Sequence, residues 1–216
     1  GDPGVGKSIA LRRFVDSLND NLYRPLYTPL STLKGTDLLR HINDMLGLPS
    51  RASKAVIFRQ IQQEILDCRE QRGKTVVLII DEAQLLQVGP LQELRLLTNF
   101  KMDSTDPFIL ILAGQSDMRR TIEFAVMEPL AQRLAMRFHM PPLTRDEIHH
   151  YIEGQLELAG AAERIFDDSA IDALYELSHG IPRRIGTIAV QALTCAMFAN
   201  KKTVDANTVM TVKQGG

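Results

Sequence analysis

The chain opens on Gly1-Asp2-Pro3-Gly4-Val5-Gly6-Lys7-Ser8, which is a G-x-x-x-x-G-K-[ST] pattern. Residues of these types at this spacing suit one kind of chemistry. Glycines at Gly1, Gly4 and Gly6 let the backbone turn tightly and aim its amides inward. Successive N–H groups and the N-terminus of the following helix then surround phosphate oxygens. Lys7 would neutralise β- and γ-phosphates, and the Ser8 hydroxyl would ligate Mg2+. The candidate nucleotide-binding stretch is thus Gly1, Asp2, Pro3, Gly4, Val5, Gly6, Lys7, Ser8 and Ile9. A second pattern points the same way. The apolar run Val76-Val77-Leu78-Ile79-Ile80 ends in Asp81-Glu82, and the C-terminal end of a buried strand is where α/β sheets bind ligands. Asp81 suits the Mg2+ shell, and Glu82 suits orienting and polarising an attacking water. An unpaired carboxylate beside a fully apolar strand is costly unless it meets a cation or water, which argues against a plain acidic turn.

The elements that must position these residues read as alternating helices and strands. Leu11, Phe14, Val15 and Leu18 recur at helical spacing, predicting an amphipathic helix over 7–18. A strand follows over 22–29, then helices over 37–46 and 53–71. The runs 75–80 and 108–113 carry the apolar, β-branched signature of strands buried on both faces of a parallel sheet. Between them a helix is expected over 90–98, followed by a polar turn over 103–107. A helical stretch over 127–134 and a weaker strand over 136–140 complete this part. A phosphate-binding loop is normally entered from a strand and none precedes Gly1, so the chain is expected to be a fragment of a longer product.

Beyond Pro141-Pro142 strand signals disappear and three helical segments follow. Thr144-Arg145-Asp146-Glu147 is a capping-box pattern that opens the first. Asp167 or Asp168 caps the second, which ends at His179-Gly180, and Pro182 sits in the first turn of the third. The expected organisation is an α/β nucleotide-binding core over 1–142, with a parallel sheet flanked by helices, and a small helical lid over 143–216.

Composition narrows the classes. The 216 residues carry 25 Lys plus Arg against 26 Asp plus Glu, a formal net charge of −1, which argues against a DNA-coating basic protein. With 44% hydrophobic and 24% charged residues, disorder and a fibrous repeat are excluded. No apolar run approaches the roughly 20 residues of a membrane-spanning helix. Cys68 and Cys195 have no metal or redox spacing, so a reducing, cytoplasmic setting fits. His149-His150 is adjacent rather than at ligand spacing, and His139 falls in the weaker strand. Met127, Met136 and Met140 read as core filler. The pairs Arg12-Arg13 and Arg119-Arg120 read as solvated helix faces.

The landmarks resemble, in order, those of AAA+ ATPases: Gly1 to Ser8, Asp81-Glu82-Ala83-Gln84, Gly114-Gln115, Leu130-Ala131-Gln132-Arg133 and Gly180-Ile181-Pro182-Arg183-Arg184. The versions found here look like the branch that contains ExeA-like secretion ATPases and TniB-like and MuB-like transposase helpers. The resemblance implies ATP and Mg2+ as cofactors and hydrolysis at the subunit interfaces of a homo-oligomer. By position it makes Gln115 sensor 1, unless it merely ends a strand. It makes Arg133 the arginine finger, with Arg137 as competitor, and Arg183 sensor 2, with Arg184 as runner-up. Such a finger contributes about 10³-fold or more to rate. The stretch 93–103 looks more like the mobile-element members, a resemblance that implies a DNA-associated transposition helper recruiting a transposase on duplex DNA. The alternative is an ExeA-like ATPase of general secretion or pilus assembly, and a replication-initiator-like ATPase is a third reading.

Overall fold

The computed structural model describes residues 1–29, 33–49, 53–100, 107–161 and 163–214. They form two compact units: Lys7–Phe138, and Gly1–Gly6 together with His139–Gly216.

In the first unit, the two strongest apolar runs become strands of one parallel sheet. Its order is β1 (Tyr23–Thr28), β2 (Thr75–Ile80), β3 (Phe108–Leu112). Parallel neighbours need crossover connections. These are supplied by α2 (Gly35–Met45) and α3 (Lys54–Glu70) between β1 and β2, and by α4 (Val88–Leu97) between β2 and β3. Side chains alternate along a strand, and β2 is buried on both faces. β3, expected to be buried likewise, is only half-buried with Ile109 exposed, because among the described residues it pairs with β2 alone. Val76, Leu78 and Ile80 join a core with Leu38, Leu39 and Ile42 of α2, Ile57, Ile61 and Ile65 of α3, and Leu91, Leu94 and Leu97 of α4. Each such side chain, fully buried, contributes about 1.5–3 kcal/mol over its exposed state. Val77 and Ile79 point the other way and are just as buried, and by the same period Asp81 continues their face. The helix α1 (Lys7–Ser17) buries no residue fully.

Several expectations change here. The strand expected over 136–140 is absent, and Met136 and Phe138 are 86% and 81% exposed, so Met136 is not core filler. The alternation of Met136-Arg137-Phe138-His139-Met140 mimics a strand, yet among the described residues no neighbouring strand pairs with it. His139 therefore lies in an exposed irregular segment. The expected helix over 127–134 is a 3-10 turn, Ala125–Met127, and a single helical turn, α6 (Glu128–Ala131), with a proline at its start. Before it comes α5 (Asp117–Glu123), which begins two residues after Gln115. Met127 is buried. Of the polar turn over 103–107, positions 103–106 lie outside the described residues.

The second unit is helical: α7 (Arg145–Leu158), α8 (Asp168–Ser178), α9 (Pro182–Phe198) and α10 (Ala206–Gln214). Thr144 and Glu147 form the full capping box of α7. Asp167, not Asp168, caps α8, accepting from the Ala170 N–H at 2.8 Å. The helix α8 ends through His179 and Gly180, both with positive φ. The fourth helix, α10, was not expected. Val204-Asp205-Ala206-Asn207-Thr208-Val209 is poor in strong helix formers, but Val204 and Val209 are fully buried against Phe166, Ile171 and Ile185, and packing overrides propensity. No helix among the described residues is long and apolar enough to cross a membrane.

Candidate functional site

Two glycines of the opening loop adopt backbone conformations that other residues rarely take: Gly4 with φ 85° and Gly6 with φ 105°. Gly4 is also tightly packed. A Cβ there would lie 3.0 Å from Cβ of Arg183 and 3.1 Å from Cγ2 of Ile181. The Gly4 carbonyl accepts the Arg183 backbone N–H at 3.2 Å, which ties the loop to the start of α9. Beyond the loop, Lys7 and Ser8 are the first residues of α1, both half-buried. Ile9 is exposed.

Asp81 ends β2 with only 2% of its surface exposed. A buried carboxylate has to be satisfied, and three donors do this. The Ser8 hydroxyl donates to Oδ2 at 2.6 Å, the Tyr27 hydroxyl donates to the same oxygen at 2.8 Å, and the Glu82 backbone N–H donates to Oδ1 at 2.8 Å. Burial first, and then its bond to Asp81, push the Tyr27 hydroxyl up to about 12, against a smaller opposing effect of Arg12. Tyr27 therefore remains a proton donor throughout the neutral range.

The chain leaves β2 on a left-handed residue, Glu82 at φ 51° and ψ 34°. For a non-glycine residue this costs on the order of 1 kcal/mol, the kind of strain that gathers at functional sites. The Ala83 N–H still bonds the Ala113 carbonyl at 2.8 Å, so the turn stays anchored to the segment following β3. The turn brings Glu82 against two glutamines. Gln84 Nε2 donates to Glu82 Oε2 at 2.7 Å, and Gln115 Nε2 approaches the same oxygen at 3.5 Å. Gln84 Oε1 accepts the Gln115 backbone N–H at 3.0 Å and closes the network.

The sequence-expected residues Ser8, Asp81, Glu82 and Gln115 thus come together, while sequence reasoning missed two members of the cluster. Gln84 stood in the Asp-Glu-Ala-Gln motif without a role. Tyr27 is found only through the β1–β2 register, which pairs Tyr27 with Ile79 and sets it on the face of Asp81. The donor set fits a hard divalent cation: a carboxylate and a hydroxyl side by side, all oxygen, of the kind Mg2+ uses together with substrate phosphates.

The arginines differ in setting. Arg133 is half-buried and donates to the Thr98 carbonyl at 3.3 Å and to the Thr98 hydroxyl at 3.2 Å, at the C-terminus of α4. Arg137 is exposed and donates to the Ala131 carbonyl at 3.1 Å. In the helical unit, Arg184 donates to the Leu177 carbonyl at 2.7 Å, whereas Arg183 is held through its backbone on Gly4 and keeps an exposed side chain. His149 is bracketed by Glu153, 3.3 Å from its Nδ1, and by Arg164, which donates to its Nε2 at 3.0 Å.

Known proteins resemble this chain in sequence and in fold. A protein of Aeromonas hydrophila named General secretion pathway protein A is 33% identical over 198 residues, 91% of this chain and 36% of that protein. The chain spans 36% to 53% of the curated relatives it matches. Among solved structures, Cdc6p from Pyrobaculum aerophilum superposes with a TM-score of 0.71 at 17% identity, covering 99% of this chain and 59% of that one. The RuvB Holliday junction branch migration motor of Thermotoga maritima does so with a TM-score of 0.64 at 19% identity, covering 99% and 59%. The family model described as AAA domain matches residues 1–122, a span that holds the glycine loop, Asp81, Glu82 and Gln115. On that match, and with a P-loop NTPase-type α/β fold built on a parallel sheet, the chain belongs to the AAA domain family.

Proposed function

We propose that this chain binds ATP with Mg2+ and hydrolyses it, through a nucleotide-binding core over 1–142 and a helical lid over 143–216. The observation that carries the reading is the junction of Ser8 with Asp81, with Glu82 held by Gln84 and Gln115 beside it. The loop amides from Gly1 to Gly6, with Asp2, Pro3 and Val5 between the glycines, cradle the phosphates, and Lys7 neutralises them. Ser8 and Asp81 hold Mg2+, which when bound shields the phosphate charge and supports displacement at phosphorus. Glu82 has its Oε2 occupied by the glutamines and accepts from the attacking water through Oε1. Gln115 and, by resemblance, Arg183 respond to the γ-phosphate. Arg133 or Arg137 acts on the site of a neighbouring copy.

Glu82→Gln is the test. ATP affinity should stay within about twofold while turnover falls at least about 10²-fold, the scale of a lost general base. Wild-type turnover in Glu82→Gln would sink the assignment.

For biological use, the relative named General secretion pathway protein A supports a role in secretion or pilus assembly. The transposition-helper use, with duplex DNA and a transposase as partners, rests on the sequence resemblance and draws no support from that relative.

A further inference from the structure

Asp81 receives its two side-chain donors from different elements. Ser8 belongs to the turn of helix that follows the glycine loop, the part of the chain that a nucleotide would engage. Tyr27 belongs to β1, whose position is fixed by the ladder to β2: Tyr27 pairs with Ile79 and Thr28 with Ile80. The Asp81 backbone N–H itself bonds the Thr28 carbonyl at 3.0 Å, so both the backbone and the hydroxyl of this strand end grip the same residue. One carboxylate oxygen accepts two hydrogen bonds in its plane. With Ser8 and Tyr27 both on Oδ2 and the Glu82 N–H on Oδ1, the plane of the carboxylate is set.

From this we infer that Tyr27 is a positioning residue for the divalent cation: its hydroxyl, fixed by β1, orients the Asp81 carboxylate independently of the loop that carries the nucleotide. The inference rests on the proposed assignment of Ser8 and Asp81 to Mg2+. Tyr27 acts through Asp81, to which its hydroxyl donates. Partners that orient a ligating group in this way are worth about 10–100-fold in metal affinity.

The measurement is binding of a fluorescent ATP analogue to the full chain, first in EDTA and then across an Mg2+ titration. Tyr27→Phe keeps the ring and removes only the hydroxyl. It should leave affinity in EDTA at the wild-type value, which also reports an intact fold, and raise the Mg2+ half-saturation concentration about tenfold. In an Asp81→Asn background the same change should add nothing, because the acceptor it acts through has lost its charge. An unchanged or lowered Mg2+ requirement in Tyr27→Phe, with Asp81→Asn clearly impaired, overturns the role of Tyr27 while leaving the cation site standing. If the wild-type chain and Asp81→Asn both bind nucleotide without regard to Mg2+, the cation assignment falls and Tyr27 with it.

Discussion

In the proposed hydrolysis the chemistry turns on Glu82, and its geometry depends on a neighbour that the sequence left without a role. Gln84 uses both ends of its amide, donating to the Glu82 carboxylate and accepting from the Gln115 backbone. Truncation to Ala would release a side chain held in a strained turn and leave the Gln115 N–H without that acceptor. Gln84→Ala should therefore lower kcat about tenfold with little change in ATP affinity, since positioning errors at the reacting centre cost rate before binding. Steady-state turnover set beside nucleotide titration separates the two. The motif residues were legible in the sequence because their spacing is local: a loop of eight residues and an acidic pair at a strand end. Tyr27 and Gln84 were not, because one acts through strand register and the other through a left-handed turn at Glu82.

At the scale of elements, β2 was legible because its unbroken β-branched run suits a strand buried on both faces, whereas the same reading overstated the burial of β3, which among the described residues has a neighbour on one side only. The segment 136–140 misled because alternation alone supplies no partner strand. The helix α10 was hidden by weak propensity, although Asp205 before it is a capping residue that could have revealed it. Its carboxylate accepts from the backbone N–H of Thr208 at 2.8 Å and from the Thr208 hydroxyl at 2.6 Å, and pairs with Lys201 at 3.0 Å. These contacts, the Thr208 hydroxyl foremost, hold Asp205 far below the usual carboxylate range. Glu147 in the capping box of α7 and Asp168, bonded by Arg164, are lowered as well. A lowered folded value means stability that is complete above the unfolded value of about 4 and is lost as pH falls through the folded values. Thermal melts should thus lose Tm below about pH 4, and Asp205→Ala should lower Tm at pH 7 but less so in strong acid. An equal loss at both pH values would mean that the cap does not act through its charge. The exit from α8 makes a sharper demand. A Cβ on Gly180, at φ 74°, would fall 2.1 Å from the Leu143 carbonyl oxygen, which is backbone and cannot swing aside. Gly180→Ala should cost about 1–3 kcal/mol of stability in denaturant titration.

For the whole molecule, the open question of partners is one of charge and of assembly. With a formal net charge of −1, a single chain gains little from DNA phosphates, whereas an assembly sums its contacts and acquires a steep salt dependence. DNA-stimulated turnover that fades with rising salt would restore the transposition reading, and turnover indifferent to DNA would strengthen the secretion reading. Assembly itself can be tested through the two arginines. Arg133 is engaged with Thr98 at the end of α4, where it neutralises helix carbonyls. Arg137 is exposed. An arginine that serves a neighbour's site has a signature that an internal brace lacks: its loss is repaired in trans. Mixing Glu82→Gln chains, which keep both arginines but lack a working site, with Arg133→Ala or Arg137→Ala chains, which keep the site, should restore turnover for whichever variant has lost the finger. The other should stay as impaired in the mixture as alone, and if that variant is Arg133→Ala it should also melt at a lower temperature, because α4 loses its brace. Failure of both mixtures to recover, with each variant folded, would remove catalysis between subunits from the proposal and leave each chain to complete its own site.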